Sequence, residues 1–113
     1  MNNKNIMDLT GKVGIVTGGA GHLGIAMSES LLEAGAIVYI AGLDQNKLKT
    51  VINKLSQQFK DRVKGIYIDI GSIKAIKTCF GQIIKESGKI DVLVNNAAFS
   101  VRNKLEDFSE ENW

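Results

Sequence analysis

The chain has 113 residues, 44% hydrophobic and 23% charged, with a formal net charge of +2 at pH 7. This length fits one domain at most, and the composition excludes a disordered tail as the main character of the chain. The lysines scatter from Lys4 to Lys104 without a basic stripe, which argues against a nucleic-acid partner.

The start, "MNNKNIMDL", carries no apolar core of the kind a secretory signal needs. No apolar run reaches the length of a bilayer span, so no membrane partner is expected. Cys79 is the only cysteine, which rules out a disulfide framework within the chain. A reducing, cytoplasmic setting is the expectation.

In chain order the hydrophobic period alternates. "KVGIVT" (12–17) is short, β-branched and bounded by glycines, and predicts a buried strand. Over 22–34 the period turns helical: Leu23, Met27 and Leu31 fall four apart, with Ala26 and Ala34 beside them, and Gly35 supplies a stop. "IVYIA" (37–41) predicts a second strand. The next helix spans 44–59, with Asp44 as its N-cap and Leu48, Val51, Ile52, Leu55 and Phe59 on one face.

"VKGIYIDI" (63–70) predicts a third strand, and 72–87 a third helix with Ile73, Ile76, Phe80, Ile83 and Ile84 on its apolar face. Gly81 weakens that helix slightly. "IDVLVNN" (90–96) predicts a fourth strand, after which Ser109 is placed to cap a further helix. Strand and helix in strict alternation imply an α/β, doubly wound parallel sheet of about four strands.

The segment "TGGAGHLG" (17–24) joins the first strand to the first helix, and Gly19, Gly21 and Gly24 satisfy G-x-G-x-x-G. One glycine permits a tight turn, one lets the backbone approach a pyrophosphate, and one lets helix and strand pack closely. The free N–H groups of a helix start, with the helix dipole, then favour the phosphate charge. His22 has two readings: backbone contact with the phosphates, or an exposed first-turn residue. With no carboxylate or nucleophile nearby in sequence, it makes a poor general base.

With "TGGAGHLG", Asp69–Ile70 and "LVNNAA" (93–98) in this order, the chain resembles the short-chain dehydrogenases/reductases from about Asp8 to Trp113. Residues 1–7 then read as an N-terminal extension, and 8–113 as the N-terminal part of a Rossmann-like dinucleotide-binding domain, with strand order 3-2-1-4. The resemblance implies that Gly18, Gly19, Gly21 and Gly24 shape the cofactor loop, with His22 and Leu23 at its pyrophosphate-facing end. Asp69 would hydrogen-bond the adenine amine and Ile70 would cover the ring. Asn96 and Ala97 would line the ribose and nicotinamide side, and Asn95 would tie the fourth strand to its neighbours.

Two positions depart from the family's commonest pattern: His22 stands where a glycine is usual, and "NNAA" replaces "NNAG". In NAD-preferring relatives an acidic residue ends the second strand; here Gly42 stands there. NADP-preferring relatives often follow with arginine; here Leu43 does. Asp44, two residues on, either reaches the ribose or only caps its helix, so both NAD and NADP stay open as cofactors.

The resemblance implies hydride transfer between a nicotinamide and a carbonyl or alcohol carbon, with a tyrosine and lysine spaced Y-x-x-x-K. Tyr39 is followed four residues on by Leu43, and Tyr67 by Gly71, so neither fits. The family's tetrad asparagine lies just beyond the position of Trp113. The chain therefore reads as a piece of an oxidoreductase, inactive alone, without the later helices of the usual oligomer interface. The alternative is a free-standing nucleotide-binding or partner-docking half-domain. In either case the first two helices would cover one sheet face and the third the other, leaving that second face partly bare and the fourth strand an open edge.

Overall fold

The structure, a computed structural model, describes residues 8–18, 21–69 and 71–95. Its elements in chain order are β1 (Val13–Thr17), α1 (His22–Glu33), β2 (Ile37–Gly42), α2 (Gln45–Phe59), β3 (Val63–Tyr67), α3 (Ile73–Ser87) and β4 (Val92–Asn95). All strand pairs are parallel, in the order β3-β2-β1-β4. The α/β, Rossmann-like class and the 3-2-1-4 order expected from the sequence are both present.

Burial follows position in the sheet. Every residue of β1 is buried, and so are the four central residues of β2, because helices cover both faces of these inner strands. β3 and β4 alternate between covered and exposed positions. The two sheet faces carry separate cores. On one, Val16, Val38, Ile40 and Val63 meet Leu32 of α1 and Leu48, Val51, Leu55 and Phe59 of α2. On the other, Val13, Ile15, Tyr39, Ala41, Ile66 and Ile68 meet Cys79 and Ile83 of α3. Each such buried aliphatic side chain contributes roughly 1.5–3 kcal/mol.

This division follows from connectivity. The chain steps outward from β1 to β2 to β3, which puts α1 and α2 on one face. It then returns past β1 to β4, and the same crossover hand puts α3 on the opposite face. Leu93, paired with Ile15 and so on the α3 face, stays 53% exposed. Among the described residues β4 pairs only with β1, in line with the partly bare face and open edge expected there.

Two helix faces differ from the sequence reading. In α1 the buried line is Gly24, Ser28 and Leu32, one residue round from Leu23, Met27 and Leu31, and Leu23 is 59% exposed. Small residues let the start of α1 lie close to the sheet, while Leu31 leans over Gly14 of β1, where an added Cβ would sit 3.6 Å from its Cδ1. In α3 the centre of the face is Cys79 and Ile83, with Ile76 and Phe80 at its margin; Ile73 and Ile84 are exposed.

The strand ends also move. β3 stops at Tyr67 and β4 begins at Val92. Beyond β3, Ile68 N–H still reaches Gly42 O, but the chain turns at Asp69. Before β4, Asp91 N–H donates to Val13 O and the Asp91 carboxylate accepts Val13 N–H, so a side chain takes the place of a ladder carbonyl. The turn from α1 into β2 needs its glycine: Gly35 has φ +105, and a Cβ there would lie 2.6 Å from Thr10 Oγ1. Arg62 then fastens the α2–β3 junction to the end of α1 and the turn after it, its Nη1 donating to Leu32 O and Ala36 O at 2.9 Å each. The position of Ser109 lies outside the described residues.

Candidate functional site

The strand order reverses between β1 and β4, and the carboxyl end of the sheet at such a switch point is the position at which open α/β sheets bind ligands. Thr17 is the last residue of β1. Its hydroxyl lies 3.1 Å from Asn95 Oδ1 and 3.3 Å from Val94 O, fastening the ends of β1 and β4 together. This confirms the tying role expected for Asn95. Sequence alone assigns Thr17 no such role, because its partners lie 77 and 78 residues away.

From Thr17 the chain enters the glycine segment. Gly18 has φ +67, a left-handed conformation that glycine adopts without steric cost, and its N–H donates to Ala41 O of β2. Gly21 is the N-cap of α1, with extended backbone and no capping side chain. Its N–H returns to Gly18 O, and its own carbonyl accepts Ile25 N–H. His22 and Leu23 are exposed at the first turn, while Gly24 is buried under it.

The three helices begin differently. The Asp44 carboxylate accepts Asn46 N–H at 3.0 Å and Lys47 N–H at 3.1 Å at the start of α2. Ser72 Oγ accepts Ala75 N–H at 3.2 Å at the start of α3. The first N–H groups of a helix have no intrahelical acceptor, and at α1 the cap offers none from a side chain. A Cβ added to Gly21 would meet only Gly18 O, at 3.7 Å, so there is room at that cap. This arrangement fits an external anion, since backbone N–H groups and the helix dipole both point at it.

The remaining expected site residues surround this point. Gly42 ends β2 and is half-buried. Asp44 has the capping role, one of its two readings. Asp69 is exposed past β3, and its Oδ1 accepts Gly71 N–H at 2.9 Å, shaping the turn into α3. A carboxylate has two oxygens and several lone pairs, so this turn bond and a second donor are compatible. Gly19, Ile70, Asn96 and Ala97 lie outside the described residues.

Among the described residues, grooves flank β3 on both sides. One, of about 300 Å³, runs between β3 and α2 past Gly65 and Ile52. The other, of about 350 Å³, runs between the end of β3 and α3 past Asp69 and Thr78. Among the described residues no three His, Cys, Asp or Glu side chains gather as a metal would require, and no helix is long and apolar enough to cross a membrane.

Comparison with known proteins agrees with this geometry. Residues 12–113 match the family model described as short chain dehydrogenase. The chain is 36% identical over 109 residues to the 3-oxoacyl-[acyl-carrier-protein] reductase FabG of Chlamydia pneumoniae, covering 95% of this chain and 44% of that protein. Among solved structures, a putative short-chain dehydrogenase from Novosphingobium aromaticivorans superposes with a TM-score of 0.79 at 28% identity, over 94% of this chain and 39% of the other. The Pseudomonas aeruginosa RhlG/NADP active-site complex gives 0.76 at 31%, over 88% and 39%. The chain thus spans less than half the length of each of these relatives. Fold, glycine segment and these likenesses together establish that the chain belongs to the short-chain dehydrogenase/reductase family.

Proposed function

We propose that residues 8–113 form the N-terminal, NAD(P)-binding part of an oxidoreductase, with residues 1–7 preceding the domain as an extension. The reaction is hydride transfer between a nicotinamide ring and a carbonyl or alcohol carbon, in a cytoplasmic setting. The observation that carries this reading is the open N-terminus of α1, placed by Gly18 and Gly21 at the switch point of the sheet. The NADP complex of the Pseudomonas aeruginosa relative supports the choice of ligand.

In this reading the backbone of Gly18, Gly19, Gly21, His22, Leu23 and Gly24 holds the diphosphate. Gly42 lies at the adenosine ribose. Asp69 accepts the adenine amine while Ile70 covers the ring, and Asn96 and Ala97 lie toward the nicotinamide. The dinucleotide, when bound, supplies the hydride donor or acceptor. Neither tyrosine is available as a proton donor. Tyr39 is buried on the α3 face, its hydroxyl donating to Glu86 and lying 2.7 Å from Ser87 Oγ. Tyr67 sits on the outer strand and has Gly71, not lysine, four residues on. These residues therefore bind and orient the cofactor without completing the chemistry.

Titrating the chain into NADH and NADPH and following nicotinamide fluorescence tests the binding role. Saturation below millimolar concentration is expected; its absence for both overturns the reading. Carbonyl reduction by this chain with either cofactor would overturn the claim that it binds without catalysing.

A further inference from the structure

We propose that the outer edge of β3, beside α2, is a docking groove for an extended peptide segment carrying an acidic and an apolar side chain, which adds to the sheet as a further strand. The surface is separate from the proposed dinucleotide site and lies on the far side of β2 from β1 and the start of α1.

Among the described residues β3 pairs only with β2. Ile68 N–H donates to Gly42 O, so by strand alternation the backbone groups of Lys64 and Ile66 also face β2, and those of Gly65 and Tyr67 face outward. They present N–H and C=O groups to any chain that runs alongside. The usual guards of such an edge are absent. The register with β2 runs from Val63 to Tyr67 without a skipped residue, so no bulge blunts it. The strand's lysine, Lys64, is turned back over the Tyr39 ring, its Nζ 5.6 Å from the centroid.

The groove of about 300 Å³ runs along this edge. Gly65 is exposed at its centre, and a Cβ there would lie 3.0 Å from Ile52 Cγ1, so glycine keeps the groove clear. A glycine inside a strand weakens it, and where no bulge explains it, it marks the close approach of a ligand or another backbone. Tyr67, 51% exposed, forms the end of the strand side.

The same features select the occupant. Outward backbone donors and acceptors match a main chain in extended form, and a groove beside them takes its alternate side chains. Helices are about 10 Å wide and neighbouring strands about 4.8 Å apart. With α2 already against this edge, a bare extended segment fits better than a folded sheet carrying its own covering helix. The groove lining and β3 together carry Lys49 and Lys64 and no carboxylate, which favours an acidic side chain beside Lys49. Leu48 and Ile52 then receive an apolar side chain two residues along the peptide.

Fluorescence anisotropy with the full chain and a labelled peptide, Thr-Glu-Thr-Val-Thr-Val-Thr, tests this. A Kd below about 1 mM is expected, the weak end of specific recognition. The same peptide with lysine in place of glutamate should bind at least about threefold more weakly. Tyr67→Pro removes an outward N–H and leaves the β2 ladder intact, and should weaken binding at least about tenfold. Tyr67→Ala keeps that N–H and should bind at least about threefold more tightly than Tyr67→Pro; circular dichroism checks that both fold. In the wild-type chain, hydrogen exchange at the Gly65 and Tyr67 amides should slow when the peptide is added.

No saturable binding of the peptide below about 1 mM overturns the proposal, as does equal loss in the two Tyr67 variants. Protection at β4 instead would assign the peptide to another edge and overturns it too. Gly65 and Tyr67 amides already protected without peptide would mean that this chain covers its own edge, or, if the protection grows with protein concentration, that a second copy does; either result overturns it.

Discussion

α1 and α2 begin at the same end of one sheet, after adjacent parallel strands, yet their first turns are finished in opposite ways. α2 is closed by the Asp44 carboxylate, which takes two of its orphan N–H groups. α1 begins at Gly21, which has no side chain to offer. The stabilisation that a cap brings, about 1 kcal/mol, is present at α2 and forgone at α1. Under the proposed function, the missing acceptor at α1 would come from the ligand's phosphates.

Closing α1 should break this contrast with the largest effect. Gly21→Asp places a carboxylate where the phosphates are expected, in extended backbone that tolerates it (φ −85). Cofactor affinity should fall by at least about a hundredfold, as like charges brought together cost several kcal/mol. Stability should rise by a few tenths of a kcal/mol. Binding retained with raised stability would show that the ligand does not use this helix start.

Opening α2 is the reverse experiment. Asp44→Ala leaves two N–H groups without their acceptor and should cost about 1 kcal/mol in denaturant unfolding. Ser72→Ala at α3 should cost about as much or somewhat less, since it removes one such bond.

Smaller changes sharpen the same contrast by altering helices away from their starts. Gly81 lies exposed within α3, with open space where a Cβ would stand. Gly81→Ala should raise stability by about 0.5–1 kcal/mol without touching binding. At the far end of α2, Lys60 has φ +58 and ψ −131, a strained conformation for a side-chain-bearing residue. Lys60→Gly should relieve part of that strain, of order 1 kcal/mol, offset by glycine's greater entropy loss on folding.

The smallest effect concerns acid. Asp91 caps the start of β1 as Asp44 caps α2. Hydrogen bonding from Val13 N–H, aided by Lys89 at 3.3 Å, holds its carboxyl below the usual range. Its folded pKa is lowered, so its contribution is present above the ordinary carboxylate pKa and is lost as pH falls through the lowered value. Asp91→Asn should flatten the acid limb of a stability–pH curve, and an unchanged limb would place that proton uptake elsewhere.

Much of this was legible in the chain because period and punctuation are local. Asp44 and Ser72 stand immediately before apolar periodic runs, and both are the N-caps. The inner strands are continuous apolar runs; the order 3-2-1-4 came with the family resemblance, because strand–helix alternation alone also permits 2-1-3-4. The inner face of α1 was not legible. Rows 23-27-31 and 24-28-32 lie only one residue apart on the helix, and side-chain size favours the first. Close approach to the sheet instead selects Gly24 and Ser28 for the inside. That selection depends on the sheet beneath the helix, which no helical pattern can register.

The site divides in the same way. The bend at Gly18 and the bare cap at Gly21 follow from glycine spacing. The stitch from Thr17 to Asn95 joins residues 78 apart, and nothing local announces it. Asp44 had two readings from sequence, and the structure shows the capping one, made through Oδ1 alone.

That β1 lies between β2 and β4 also sets an order of events. Val13 and Asp91, which meet at the start of the strand, are separated by 78 residues. At synthesis rates of roughly 5–20 residues per second, β1 emerges about 4–16 s before its second neighbour. During that interval it can pair with β2 alone, and its other edge stays available to any extended chain nearby. The first strand made is thus completed only after the last described strand arrives, and the growing chain is most exposed to mispairing at its own centre.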